Sequence, residues 1–429
     1  MRFLCTSAQL PGHLDWGGYL QTAATLQQQG HDVLWVSGQE VAPLVQQAGV
    51  PFQAVSETGW RWPPPPPLPQ HQDVTLSELN LQLLKMERSL DQWLEVNRVQ
   101  KAVIELHTIA EKFQPDVILG EMFMAVSGLV AEMLERPFVV MGWPAPKEVT
   151  SKGSIPPQQQ TNPVLKMARG RLDALLSTCD CVGVNWTRSG PPALRSPHLH
   201  ITYWSPSWFS ERDKSSSQTN RTAHVGGILT STNPLTPPTA IGAMQIPSPD
   251  EYPWVFITLG TSFGNDPNFF IMAAQAAVQM GCLPILALGG QIPAETRPQL
   301  EVALPPSAIV TERVDYADIL PFASAAIHHG GAGTTHACVL HGIPQFIVPH
   351  AGDQGRQAYS VYHSGVGLTV PPRQVTTERL VEGLALLLPD LSDYRAKAQQ
   401  LKEEFMTLGG VKRAAGLLVN LGKVEATWG

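Results

Sequence analysis

The chain has 429 residues, of which 43% are hydrophobic and 15% charged, with a formal net charge of −7 at pH 7. One hydrophobic core stops growing at roughly 250–300 residues, so this length predicts two domains. The acidic balance argues against a nucleic-acid binder, which would normally show a basic stripe, and the apolar content excludes a disordered chain.

Five cysteines (Cys5, Cys179, Cys181, Cys282 and Cys338) are too scattered for a disulfide framework, and Cys179 and Cys181 do not have a zinc spacing. They read as small hydrophobes of a reducing compartment. The first ten residues hold one Arg and a short apolar stretch before Pro11-Gly12, unlike a secretory signal. No run of about 18 apolar residues occurs. The expected location is the cytoplasm.

In chain order, Phe3-Leu4-Cys5 opens a strand that ends before Pro11-Gly12. Residues 19–29 read as a helix closed by Gly30, 32–37 as a strand, 41–48 as a short helix and 50–55 as a strand. This βαβ rhythm predicts a parallel sheet covered on both faces. The run from Trp60 to Gln70 breaks it with five consecutive prolines, which favour a stiff polyproline II loop. Helical spacing covers 76–113 through Leu79, Leu83, Met86, Leu90, Trp93 and Leu94. Strands are then predicted at 117–120, 138–142 and 181–185, and helices at 127–134 and 165–178.

Residues 205–253 are rich in Ser, Thr, Pro and Asn and read as the connection between domains. The predicted division is 1–212, a linker at 213–222, and 223–429, with the last helix packing back on the first domain. The second half repeats the rhythm. Strands are predicted at 254–259, 284–288, 308–311, 325–328, 344–348 and 367–370, with helices at 269–280 and 335–341. Three helical stretches close the chain, the last at 411–421. Two doubly wound domains are the α/β architecture this implies.

The sharpest local signal is AAIHHGGAGTTHACVLH, from Ala325 to His341. A buried strand runs into a turn holding Gly330, Gly331 and Gly333, and a helix is predicted to start at Thr334-Thr335. Unpaired amides at a helix N-terminus, together with its dipole, suit a diphosphate. His329 lies at the carboxyl end of the strand, where ligands of open α/β sheets bind. The pattern is neither a Walker loop nor a dinucleotide fingerprint. After the next strand, Asp353-Gln354 combines acceptors and donors suited to adjacent sugar hydroxyls, or to an Asx turn capping the next helix.

Together the two segments, HHGGAGTTHACVLHGIPQFIVPHAGDQ, closely resemble the donor signature of the nucleotide-sugar-dependent glycosyltransferase superfamily. Macrolide, sterol, carotenoid and plant UDP-glycosyltransferases belong to it. Weaker similarities extend over most of the chain: Pro11-Gly12-His13, Gly30-His31-Asp32-Val33, Pro115-Asp116-Val117-Ile118, Val225-Gly226-Gly227, and Thr258 to Ser262. The resemblance implies a GT-B fold, with two Rossmann-like domains facing across a cleft and the acceptor held by the N-terminal one.

It also implies roles. His13 would be the catalytic base, and Glu121 its orienting acid, where the family usually has Asp. The pyrophosphate would contact His329, Gly331, Gly333, Thr334 and Thr335, with Thr261 and Ser262 nearby. Arg313 and Val314 would lie against the nucleobase, and Asp353 and Gln354 would hold the sugar. Ala337 stands where plant members carry a ribose-binding Glu, which leaves UDP and dTDP as alternative donor nucleotides. Trp16 stands where many members have Pro.

The implied reaction is inverting transfer of a hexose, with the base behind the acceptor oxygen and the leaving diphosphate held by amides and His329. No metal or cofactor is expected, and no Asp-x-Asp pair occurs in the chain. Trp60, Trp62, Met122, Phe123 and Trp143 are candidate walls for a lipophilic acceptor of natural-product, sterol or carotenoid type. Such acceptors partition into lipid, so transient contact with a membrane surface is expected. Two other readings share the fold: a UDP-GlcNAc 2-epimerase-like enzyme, and a non-catalytic nucleotide-sugar-binding protein.

Overall fold

The computed structural model describes residues 1–15, 17–63, 78–146, 162–209, 221–227, 236–242, 244–261, 266–290, 292–350, 354–388 and 392–425. The chain divides into two compact units. The first is Met1–Tyr203, Asp213–Val225 and Gly410–Gly429; the second is Trp204–Arg212 and Gly226–Gly409.

The first unit is built on seven parallel strands: β1 (Arg2–Thr6), β2 (Asp32–Ser37), β3 (Phe52–Ala54), β4 (Val117–Glu121), β5 (Phe138–Met141), β6 (Leu199–Thr202) and β7 (Thr222–His224). Their order is β3-β2-β1-β4-β5-β6-β7. Alternation along each strand fills both faces of the sheet. Leu4, Val36, Ile118 and Val140 join one core. Phe3, Cys5, Trp35, Leu119 and Met141 join the other. Strands buried on both sides explain the near-continuous apolar runs read in the sequence. The first core takes the helices Glu78–Trp93, Val96–Phe113, Ala125–Met133 and Pro163–Thr178; the second takes Tyr19–Gln28 and the C-terminal helix Gly410–Glu425.

That last helix belongs to the first unit because Ala414, Ala415 and Leu418 are fully buried beside Tyr19, Leu20 and Ala23. Trp204, Trp208 and Phe209 go the other way: they pack with Val361, Leu401 and Phe405 in a core of the second unit. The predicted continuous helix over 76–113 is two helices, because Glu95 caps the second by accepting from Asn97 N and Arg98 N.

The predicted strand at 181–185 is a turn. Gly183 has φ +84°, and the Glu132 carboxylate accepts from the amides of Val182, Gly183 and Val184 at 2.6, 2.9 and 3.0 Å. Those donors are therefore withdrawn from any ladder. Cys5, Cys282 and Cys338 are buried, whereas Cys179 and Cys181 are partly exposed; all five are free thiols.

The second unit holds a short antiparallel pair, β8 (Ala240–Ile241) and β9 (Met244–Gln245). Its main sheet has six parallel strands: β10 (Trp254–Thr258), β11 (Leu283–Ala287), β12 (Ile309–Thr311), β13 (Ala323–His328), β14 (Gln345–Ile347) and β15 (Gly367–Thr369). The order is β12-β11-β10-β13-β14-β15. Counted from its own first strand, that is the 3-2-1-4-5-6 doubly wound arrangement, and the first six strands of the other unit repeat it.

Candidate active site

Each sheet has one place where the strand order turns back, between β1 and β4 in the first unit and between β10 and β13 in the second. Consecutive chain segments leave such a point toward opposite faces, which opens a crevice at the carboxyl ends of the strands.

In the first unit β1 leads to His13, which sits in a short helical turn, Pro11–Asp15, closed by His13 N–H donating to Leu10 O at 2.9 Å. β4 ends on Glu121. The longer glutamate arm spans the gap, with His13 Nδ1 and Glu121 Oε1 2.9 Å apart. Glu121 is fully buried, and its Oε2 accepts from Phe123 N–H at 2.8 Å. A carboxylate oxygen only accepts, so Nδ1 carries the proton and Nε2 keeps the lone pair. The pair is a proton acceptor with a fixed tautomer.

Aromatic side chains close around it. Trp60 lies edge-on to the His13 ring with centroids 4.7 Å apart, and Phe123 lies 5.9 Å away. Phe123 continues to Trp60 at 5.4 Å and to Trp93 at 6.1 Å. Main-chain bonds hold Trp60 in place: Arg61 N donates to Gln92 O, and Gln92 Nε2 donates to Arg61 O, both at 2.7 Å. Met122 packs on the same core. Trp62 is 39% exposed, and Trp143 is buried beyond the end of β5. Of the five candidate acceptor walls, Trp60 and Phe123 are the two in ring contact with His13. The proline run beyond Pro63 and the segment 147–161 lie outside the described residues.

In the second unit β13 delivers His329 into a slot between two glycines. A Cβ on Gly260 would stand 2.6 Å from His329 Cε1, and one on Gly331 would stand 2.3 Å from Nε2. Neither position tolerates a side chain without displacing the ring. Burial first, and then the neighbouring imidazoles of His328 and His350, push its pKa down to about 3, so the ring is neutral near pH 7. Its Nδ1 is buried and makes no close hydrogen bond among the described residues, and the Thr258 main chain is the backbone group that acts on the ring.

Beside it the helix Ala332–His341 starts two residues earlier than the sequence suggested. Its N-cap is Gly331, and the first intrahelical bond is Thr335 N to Gly331 O at 2.9 Å. The amides ahead of that bond belong to Ala332, Gly333 and Thr334. Thr335 is spent inside the helix, since its hydroxyl also donates to Gly331 O at 2.9 Å. Thr334 keeps its amide at the open N-terminus of the helix, while its hydroxyl pairs with Tyr316 at 2.8 Å. Nothing lies within 4 Å of where a Gly333 Cβ would be, so that amide edge is open.

His328 locks the turn from below. Its Nε2 donates to Gln345 Oε1 at 3.0 Å while Nδ1 accepts from Gly330 N–H at 3.1 Å. Thr261 is exposed at the end of the β10 loop. Arg313 is exposed after β12, and Val314 packs on the core below it. Gln354 is buried, and its Oε1 accepts from His350 N–H at 2.7 Å, which ties the loop after β14 to the start of its helix. His350 also lies 3.7 Å from Asp266. Ser262 and Asp353 lie outside the described residues.

Residues 288–417, which contain this second crevice, match the family described as erythromycin biosynthesis protein CIII-like, C-terminal domain. The chain is 26% identical over 408 residues to the L-demethylnoviosyl transferase of Streptomyces niveus, covering 94% of each chain. It is 30% identical over 103 residues to the 3-alpha-mycarosylerythronolide B desosaminyl transferase of Saccharopolyspora erythraea, which is 24% of each. The solved glycotransferase of kitacinnamycin superposes with a TM-score of 0.72 at 20% identity, covering 98% of both chains. The chain is a glycosyltransferase, similar over nearly its whole length to a nucleotide-sugar-dependent relative. The fold is GT-B.

Several residues of this glycosyltransferase hold roles that their local sequence does not reveal. Trp93 was read as helix core, yet its ring also backs Phe123. Tyr316 anchors Thr334 across eighteen residues of chain. His328 is the latch of the glycine turn rather than its ligand group. A paired His-His signals that one imidazole can face inward, but only the register of β13 decides which.

Proposed function

We propose that this glycosyltransferase moves a hexose, with inversion, from a UDP- or dTDP-sugar to a hydroxyl of a lipophilic small molecule, with His13 as base and no metal. The observation that carries the reading is the 2.9 Å pair of His13 and Glu121 at the first switch point. His13 takes the acceptor's proton at Nε2 as the oxygen attacks the anomeric carbon. The resulting imidazolium is stabilised by Glu121, as in triad logic. The displaced diphosphate is received by the amides of Ala332, Gly333 and Thr334 and by His329, at a helix N-terminus suited to anions. Those dipoles and N–H donors take over the charge stabilisation that a divalent cation supplies elsewhere. His13 in its aromatic surround distinguishes this reading from a non-catalytic sugar-nucleotide binder.

The acceptor class rests on Trp60 and Phe123 beside the base and on relatives named as transferases to natural products. They include the desosaminyl transferase above and the demethyllactenocin mycarosyltransferase of Streptomyces fradiae. One solved neighbour, a spinosyn rhamnosyltransferase, was crystallised with thymidine diphosphate.

The test is thermal stabilisation by UDP, dTDP, GDP and ADP, followed by turnover of the preferred sugar nucleotide with polyphenol, sterol and macrolide alcohols, with and without EDTA. A nucleotide at a hundred times its Kd adds about 2.7 kcal/mol to stability, a clear shift in Tm. Selective stabilisation by UDP or dTDP and EDTA-insensitive transfer are expected. Release of free sugar epimer without an acceptor would point to the epimerase reading instead.

A further inference from the structure

Beneath the His13–Glu121 pair lies a fully buried phenol that the reaction does not use. Tyr19 opens the helix that follows His13, and its ring packs on Trp35 with centroids 4.6 Å apart. Its hydroxyl sits where β1 and β4 part. It accepts from Thr6 N–H at 3.1 Å, and its own proton lies within reach of Leu119 O at 3.0 Å and Thr6 O at 3.2 Å. Thr6 is the last residue of β1, seven before His13, and Leu119 is two before Glu121.

A second hydroxyl converges on the same carbonyl, since Thr6 Oγ1 donates to Leu119 O at 3.0 Å and is itself bonded to Ser127 Oγ. The need for such a strap follows from topology. After Thr6 the chain turns to the face covered by Tyr19–Gln28, and after Glu121 it turns to the face covered by Ala125–Met133. The parallel ladder ends there, at the pairing of Thr6 with Gly120. Thr6 N–H and Leu119 O, which the strap joins, lie in the last rungs of that ladder.

We infer that Tyr19 is the positioning residue of the catalytic pair: its hydroxyl, with that of Thr6, fixes the spacing of the two strand ends and so the approach of Glu121 to His13. The inference rests on the proposed role of His13, but its structural content is separately measurable.

Tyr19→Phe keeps the ring and removes the strap. Its kcat should fall tenfold or more, with KM for both substrates within about twofold. The low-field Nδ1 proton resonance that a carboxylate-bonded His13 gives should broaden or vanish. Thr22→Ala is the matched control. It removes a buried hydroxyl from the same helix, one bonded to Gly18 O and Tyr203 rather than to the strand ends. It should leave kcat and the resonance in place. Thr6→Val and Thr6→Ser repeat the test if Tyr19→Phe does not fold: Val should lower kcat several-fold and weaken the resonance, and Ser should restore both. An unchanged resonance and kcat in Tyr19→Phe, or equal behaviour of the two Thr6 variants, overturns the inference. Loss of the resonance in Tyr19→Phe alongside full activity of His13→Ala would uphold the strap and remove His13 as base.

Discussion

The two switch points are topological twins that work with different materials. In the first unit the strand ends present side chains, His13 and Glu121, braced by hydroxyls and flanked by an indole and a phenyl group. In the second they present main chain, with the amides of Ala332 to Thr334 and a neutral imidazole slotted between Gly260 and Gly331. On the proposed reading, the same crossover serves proton transfer where side chains are held in register, and anion binding where the backbone is left open. A substitution in the first should erase chemistry and spare binding; one in the second should displace the binding surface itself.

The largest expected effect comes from His13→Ala. A positioned general base is worth roughly 10²–10⁴ in rate, so kcat should fall by that order while stabilisation by the nucleotide is unchanged. Glu121→Gln, which keeps the shape and loses the charge, should fall less. A His13→Ala enzyme that no longer binds nucleotide would break the division of labour.

Next comes Gly331→Ala. The added methyl would meet His329 Nε2 at 2.3 Å, and loss of one oxyanion-type donor costs about 10²–10³ in kcat. Steady-state kinetics should show that loss with a raised KM for the donor and an unchanged KM for the acceptor. Equal effects on both KM values would mean the two crevices do not act separately.

The smallest effect concerns acid stability. The pKa of His328 is pushed down to about 4 and that of His329 to about 3, each chiefly by burial. His341 follows in the same unit, at about 4. His200, at about 3, is the strongly depressed one in the first unit among the described residues. A folded pKa below the unfolded value of about 6.5 means that the unfolded chain binds more protons. The stabilisation is therefore complete above about pH 6.5 and is lost as pH falls toward the folded values. At pH 5 His328 and His329 each cost about 2 kcal/mol relative to neutral pH. Hydrogen exchange should show β10 and β13 losing protection before β1 and β4 as pH falls from 7.5 to 5. The reverse order would show that the imidazoles are not what separates the units.

Much of this was legible in one dimension. Strands buried on both faces are short apolar runs between glycines and helices, and β2 was read to the residue. The donor turn was visible because glycine, histidine and threonine cluster within a few positions, so its ligands are local in sequence. His13 and Glu121 were legible only through the resemblance, since they are 108 residues apart and neither stands out in its own neighbourhood. The strand misread at 181–185 shows the limit from the other side. Its residues favour a ladder, and a remote carboxylate, Glu132, took the amides instead.

What the sequence by itself determined is what short-range physics encodes: two α/β units, their strand periodicity, and a glycine turn leading into a helix. What only the tertiary structure decided is which partners meet. It sent Trp204 and Trp208 to the second unit, although they precede the predicted linker. It turned His328 into a latch and slotted His329 between two glycines, and it brought Glu121 within 2.9 Å of His13. These outcomes depend on register and on contacts across a hundred residues or more. Periodicity cannot specify them, because many long-range pairings are compatible with the same local pattern, and packing within each unit selects one.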